Sequence, residues 1–151
     1  MNPAPPPPED RGPEFLQAFT IAAGDFAGAG QVSIAVKNLL KEVGFAADIL
    51  RRVAIVAFEA EMNVVMYGGG GSMSVFLSPC TVRLVIEDQG PGIPDLDLAM
   101  QEGWSTATPE MREMGFGAGM GLPNIKRNSS RLVIDTGPGR GTRLQVEIDL
   151  S

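Results

Sequence analysis

Thr81-Val82-Arg83-Leu84-Val85-Ile86-Glu87 runs directly into Asp88-Gln89-Gly90-Pro91-Gly92-Ile93, and this junction decides how the rest of the chain is read. The apolar, β-branched run reads as a strand. The glycines and proline after it end the strand in a tight turn. Asp88 is thereby delivered to a strand end beside Gly90 and Gly92, where backbone crowding is low. A carboxylate there accepts hydrogen bonds only, so it selects a ring with an exocyclic amine, as adenine has. Taken alone, a D-x-G-x-G stretch is more often simply a turn.

Working upstream, Ser74 to Leu77 forms the other half of a hairpin that turns at Ser78-Pro79-Cys80. Before it, Ala46 to Tyr67 contains neither Gly nor Pro and carries an apolar stripe of Ile49, Leu50, Val53, Val56, Ala57, Ala60 and Val64. That spacing predicts a long amphipathic helix, ended by Gly68-Gly69-Gly70-Gly71. Glu59 and Asn63 are four apart on it and point the same way, whereas Glu61 must face elsewhere. A carboxylate in that position can orient or deprotonate a hydroxyl nucleophile, and a neutral amide oxygen can coordinate Mg²⁺ held by nucleotide phosphates. An isolated E-x-x-x-N pair is usually a solvated helix face, so the later motifs give this one its meaning. Nearer the start, Phe15 to Ala23 reads as a strand with Phe15, Gln17, Phe19 and Ile21 on one face. Asp25 then offers an N-cap to a helix carrying Val32, Val36, Leu39, Leu40 and Val43 and stopped by Gly44.

Downstream, Asp95 to Glu102 reads as a short helix and Thr106 to Gly121 as a glycine-rich stretch. Gly115, Gly117, Gly119 and Gly121 alternate with Phe116, Ala118 and Met120, and a helix from Leu122 to Asn128 follows at once. Successive bare N–H groups leading into a helix N-terminus form an anion cradle that needs no basic side chain. The spacing matches neither a Walker A loop nor a dinucleotide fingerprint. Lys126 and Arg127, on the following helix, either approach phosphates or face water, and the residues alone do not decide between the two. Trp104 and Met111 read as packing or partner contacts. Arg131 to Asp135 and Thr142 to Asp149 close the pattern as strands around a turn at Gly137-Pro138-Gly139-Arg140-Gly141. This order predicts an α+β two-layer sandwich, with helices on one face of a mostly antiparallel mixed sheet.

Length and composition set the outer limits. The 151 residues suit one domain, read as 14–151 after an extended proline-rich tail at 1–13. With 44% apolar residues and a net charge of −6, binding to nucleic acid through bulk charge is not expected. Cys80 is the only cysteine, which excludes an internal disulfide and fits a reducing compartment. The chain has no histidine, which removes histidine triads, histidine metal ligands and autophosphorylation on histidine. No stretch reaches the ~18 apolar residues of a membrane span and no signal-peptide pattern opens the chain, so a cytoplasmic location is expected.

These motifs in this order resemble the GHKL ATPase superfamily, whose members share the Bergerat nucleotide fold. Glu59-Ala60-Glu61-Met62-Asn63 resembles its N box, Asp88 to Gly92 its G1 box, Gly115 to Leu122 its G2 box and Gly141-Thr142 its final threonine motif. By that resemblance the nucleotide contacts fall on Asn63, Asp88, Gly90, Gly92, Ile93, Gly115, Gly117, Gly119, Gly121, Leu122, Lys126 and Thr142. Thr142 would hydrogen-bond toward the base beside Asp88, Asn63 would hold the metal, and Glu59 would be the catalytic residue. Within the superfamily, Glu87 to Asp95, Ala99 to Thr106 and Gly121 to Arg127 are similar to the small anti-sigma-factor and stressosome-type serine/threonine kinases.

That likeness implies ATP and Mg²⁺ as cofactors and a STAS-domain antagonist protein as phosphate acceptor in a partner-switching circuit. A sigma factor as a further partner and a homodimeric chain are compatible with it. Two other readings use the same pocket. One is a nucleotide-dependent module that sequesters a partner without transfer. The other is the ATPase half of a split histidine kinase, which Met66, standing where such kinases carry a basic residue, and the missing dimerisation helices disfavour. The segment from Thr106 to Met114 is longer than in the family members that the chain otherwise resembles.

Overall fold

A computed structural model of the chain describes residues 12–67, 69–93, 99–101, 121–137 and 139–150. Five strands, β1 (Glu14–Ile21), β2 (Gly71–Leu77), β3 (Thr81–Asp88), β4 (Arg131–Asp135) and β5 (Arg143–Asp149), form one sheet in the order β1-β2-β3-β5-β4. Every described pairing is antiparallel, so the expected mixed sheet is in fact uniform. Helices α1 (Gln31–Val43), α2 (Ala47–Tyr67) and α3 (Gly121–Asn128) supply the second layer.

The pleat sorts side chains by parity. Met73 and Val75 of β2, Val82, Leu84 and Ile86 of β3, and Leu144, Val146 and Ile148 of β5 are buried on the helix side. They meet α2, whose stripe of Ile49, Leu50, Val53, Val56, Ala57, Ala60 and Val64 is buried as its spacing predicts. Each buried valine contributes about 2 kcal/mol over an exposed one, so α2 is held by its packed stripe. On the opposite face, Arg83, Glu147 and Arg131 form a cross-strand row. The Glu147 carboxylate accepts from Arg83 Nη2 at 3.3 Å and Arg131 Nη2 at 3.1 Å.

Two further expectations are corrected. The register of β1 against β2 slips between Phe15 and Gln17, so that Phe15 pairs with Phe76 while Gln17, Phe19 and Ile21 pair with Val75, Met73 and Gly71. A bulge inserts one residue and reverses the alternation beyond it. Phe15 therefore leaves the face of Phe19 and Ile21 and sets its ring edge-on to Phe76, with centroids 5.7 Å apart. The N-cap of α1 is Gly30, at φ 100° and without a side-chain cap, and not Asp25. Asp25 instead accepts the Gly28 N–H at 2.9 Å in the preceding loop. At the other end Gly44 closes α1 at φ 106°, as expected.

The uncapped start of α1 is satisfied from a distance. Glu61, buried on α2, accepts the N–H groups of Gly30 (3.0 Å), Val32 (3.2 Å) and Ser33 (2.9 Å). Its departure from the face of Glu59 and Asn63 thus has a destination, the electropositive end of α1. Most of the expected helix from Asp95 to Glu102, the expected tail up to residue 11, and Gly115, Gly117 and Gly119 lie outside the described residues, as do Trp104 and Met111.

Candidate functional site

Helix α3 lies antiparallel along α2, and three rungs fix its register. Arg52 Nε donates to the Asn128 carbonyl at 3.1 Å. Two turns further along α2, Glu59 Oε1 accepts from Asn124 Nδ2 at 3.2 Å. One turn beyond that, a Cβ on Gly121 would lie 3.3 Å from Asn63 Oδ1 and 3.5 Å from Glu59 Oε2. Buried Leu122 and Ile125 hold the other side of α3 in the core. The start of α3 is thereby set against Glu59 and Asn63, and the bare Cα of Gly121 keeps the gap open. Helix N-termini of this kind favour anions.

The Asp88 turn is built from both neighbours of β3. Gly71, at the start of β2, pairs with Asp88 and lies against Val64 of α2, which places Asp88 near the turn of α2 that carries Asn63. Asp88 Oδ1 accepts the Gly90 N–H at 2.9 Å and the Thr142 N–H at 3.2 Å, and the Asp88 N–H donates to the Thr142 carbonyl at 2.9 Å. One carboxylate oxygen is thus occupied by the fold, while among the described residues none donates to Oδ2. A side chain at Gly141 would collide with the Asp88 carbonyl oxygen, and one at Gly92, where φ is 83°, with the carbonyls of Gly137 and Arg140. Both positions require glycine on steric grounds.

The hydroxyls of Thr136 and Thr142 lie 2.8 Å apart, and the Ile93 N–H donates to Thr136 Oγ1 at 2.9 Å. Ile93 also packs against the core. Thr136 was not singled out from the sequence. It stands on no motif, and only the pairing of β4 with β5 brings it to Thr142.

Of the residues singled out from the sequence, Glu59, Asn63 and Gly121 come together at the α2–α3 contact, with Leu122 buried beneath it. Asp88, Gly90, Gly92, Ile93 and Thr142 come together at the turn. Lys126 lies on the exposed side of α3, away from these contacts. A groove of about 580 Å³ abuts the turn through Gln89 and Pro91 and reaches Met66, Tyr67 and Phe26. Its lining includes neither Glu59 nor Asn63, so it adjoins the cluster and does not coincide with it.

The donor set fits a nucleotide with a phosphate-held cation. Asp88 Oδ2 can accept from an exocyclic amine, and the α3 N-terminus can offer N–H groups to phosphate. Among the described residues no group of three or more His, Cys, Asp or Glu could hold a metal on its own. A single amide oxygen such as that of Asn63 suits a Mg²⁺ ion whose other ligands are phosphate and water.

Comparison with known proteins bears on this arrangement. Residues 32–151 match the model of the histidine kinase-, DNA gyrase B- and HSP90-like ATPase family. The chain belongs to that family. It is 31% identical over 113 residues to the serine/threonine-protein kinase RsbT of Bacillus subtilis, covering 72% of this chain and 79% of that one. To the anti-sigma F factor of Bacillus licheniformis it is 33% identical over 110 residues, covering 69% and 72%. Within the ATPase family the chain thus stands on the branch of small serine/threonine kinases and anti-sigma factors. In three dimensions it is similar to a chain of the SiaB–SiaC complex from Pseudomonas aeruginosa. The TM-score is 0.58 over 89% of this chain and 91% of that one, at 15% identity, a likeness of fold. Among the described residues no helix is long and apolar enough to cross a membrane.

Proposed function

We infer that the chain is an ATP- and Mg²⁺-dependent protein serine/threonine kinase of the anti-sigma-factor regulatory type. Its acceptor is a hydroxyl on a STAS-domain partner in the cytoplasm. The observation that carries this reading is the convergence of Glu59 Oε2 and Asn63 Oδ1 on Gly121, at the N-terminus of α3. A base, a neutral metal ligand and an anion-binding helix end are the parts that phosphoryl transfer needs, because its catalysis is mainly positioning and charge stabilisation.

In this reading Glu59 accepts the proton of the acceptor hydroxyl as its oxygen bonds to the γ-phosphorus and the bond to the bridging oxygen of ADP breaks. Asn63 holds the cation, Asp88 Oδ2 accepts from the adenine amine, and Thr142 stands beside Asp88 to steady the base. The segment carrying Gly115, Gly117 and Gly119 cradles phosphate together with Gly121. The similarity to RsbT supports a hydroxyl acceptor, and the absence of histidine rules out autophosphorylation on that residue type.

The similarity to anti-sigma F factors also supports a second reading, a module that sequesters a partner in a nucleotide-dependent manner and transfers nothing. Incubation with labelled ATP, Mg²⁺ and a STAS protein encoded nearby separates the two. Glu59→Gln is expected to keep ATP binding while label transfer to serine or threonine falls about a hundredfold or more, the scale of a lost general base. Tight ATP-dependent partner binding with no label transferred, and Glu59→Gln indistinguishable from wild type, would establish the sequestering module instead.

A further inference from the structure

We propose that Asn124 is the positioning residue of Glu59, a role that rests on the assignment of Glu59 as the base. Asn124 Nδ2 lies 3.2 Å from Glu59 Oε1. An ionised carboxylate only accepts hydrogen bonds, so the amide must turn its NH₂ toward Glu59. That bond occupies Oε1 and leaves Oε2 on the side of Gly121 and Asn63, where the acceptor hydroxyl has to arrive. Without it, a glutamate on a helix surface samples several rotamers, and the reactive oxygen spends much of its time elsewhere.

Asn124 is itself held in place. Its backbone carbonyl accepts Asn128 Nδ2 at 2.9 Å, and the Asn128 carbonyl accepts Arg52 Nε at 3.1 Å. Arg52 and Glu59 lie on the same side of α2, two turns apart, so the bonds run from α2 to α3 and back to α2. The ring Arg52, Asn128, Asn124, Glu59 is closed by the helix backbones, and the orientation of Glu59 thereby becomes a property of how α3 docks.

The choice of an amide also has a chemical reason. A cation at position 124 would orient Glu59 equally well but would weaken it as a base by stabilising its charged form strongly. A neutral donor orients without bringing a charge to the site. When Oε2 takes the hydroxyl proton, Oε1 becomes the carbonyl oxygen of a neutral carboxyl and still accepts from Asn124. The hold persists through transfer and is in place when the proton leaves.

Three variants in the full chain test this, read by ATP affinity, the transfer rate at saturating ATP, its pH profile and thermal melting. Asn124→Ala is expected to keep ATP affinity within about threefold while transfer falls about tenfold, the cost of one hydrogen bond to a charged group. Asn124→Asp places a second carboxylate against Glu59, so the pair retains a proton and the acid limb of the profile moves up by about one pH unit or more. In a Glu59→Gln background, Asn124→Ala is expected to add no further loss.

A folded Asn124→Asp variant whose acid limb stays at the wild-type pH overturns the proposal. So do additive losses in the double variant, because a merely structural residue would act independently of Glu59. The base assignment has its own signature. Full transfer by Glu59→Gln removes Glu59 as the base, and Asn124's role with it, whereas a crippled Glu59→Gln combined with additive Asn124 losses removes the positioning role alone.

Discussion

Glu61 and Gly30 are 31 residues apart in sequence, and the carboxylate of one accepts the backbone N–H of the other at 3.0 Å. Through this contact and those to Val32 and Ser33, α2 supplies the cap that the start of α1 lacks. The same turn of α2 that points Glu59 and Asn63 toward α3 thus points Glu61 into α1. One helix serves the site on one side and ties down its neighbour on the other.

Glu61→Ala should therefore destabilise the fold more than an ordinary surface change. It leaves three buried or part-buried N–H donors without their acceptor, at a cost on the order of 3 kcal/mol. Urea unfolding of the variant measures it. A loss under about 0.5 kcal/mol would mean that water replaces the carboxylate and that α1 is held by packing alone.

Asp88→Asn retains an oxygen for Gly90 and Thr142, so the turn should persist, but its NH₂ now occupies the place of Oδ2 and meets the adenine amine donor to donor. ATP affinity should drop by about 2 kcal/mol or more with little change in melting temperature. The wild type should also prefer ATP to GTP, which presents an oxygen where adenine has its amine. Equal ATP and GTP affinities in calorimetry would count against Asp88 as the base-reading residue.

Gly141→Ala should damage stability and nucleotide binding together. The added methyl meets the Asp88 carbonyl oxygen, a backbone atom that cannot swing aside, so β5 must shift away from the Asp88 turn. Overpacking of this kind costs about 1–3 kcal/mol. Since Thr142 donates to Asp88 at that point, ATP titration should show weaker binding even where the variant is fully folded.

Glu147 gives the sheet a pH dependence with a defined sign. Burial raises its pKa, but the Arg83 and Arg131 guanidiniums and hydrogen bonds from Arg131 and Gln145 outweigh burial and hold it below the ordinary 4.5. The unfolded chain therefore binds the proton first, so stability rises with pH through this window. The contribution is fully present above pH 4.5 and is lost as pH falls through the depressed value. Glu147→Gln should melt below wild type at pH 7, and the gap should close on acidification below pH 4.5. A constant gap down to pH 3 would show that the carboxylate charge is not the source.

The strands and helices were legible in the sequence because burial on one face imposes a period on each element. The run from Ala46 to Tyr67 became α2, with its apolar stripe buried as read. The hairpin delivered Asp88 to a strand end, and the spacing of Glu59, Glu61 and Asn63 along a helix was enough to send Glu61 to a different side. Periodicity, glycine turns and residue chemistry are local quantities, and the chain carries them in order. What Glu61 reaches was not legible, because its partners are backbone N–H groups that every residue type presents alike. Nor was the flip of Phe15, since a one-residue bulge in β1 is settled by the register that β2 imposes. Asn124 and Thr136 stood in the sequence without a signal of their own. Their partners, Glu59 and Thr142, are brought to them by the docking of α3 on α2 and of β4 on β5, and contacts of that kind exist only once the two layers have packed.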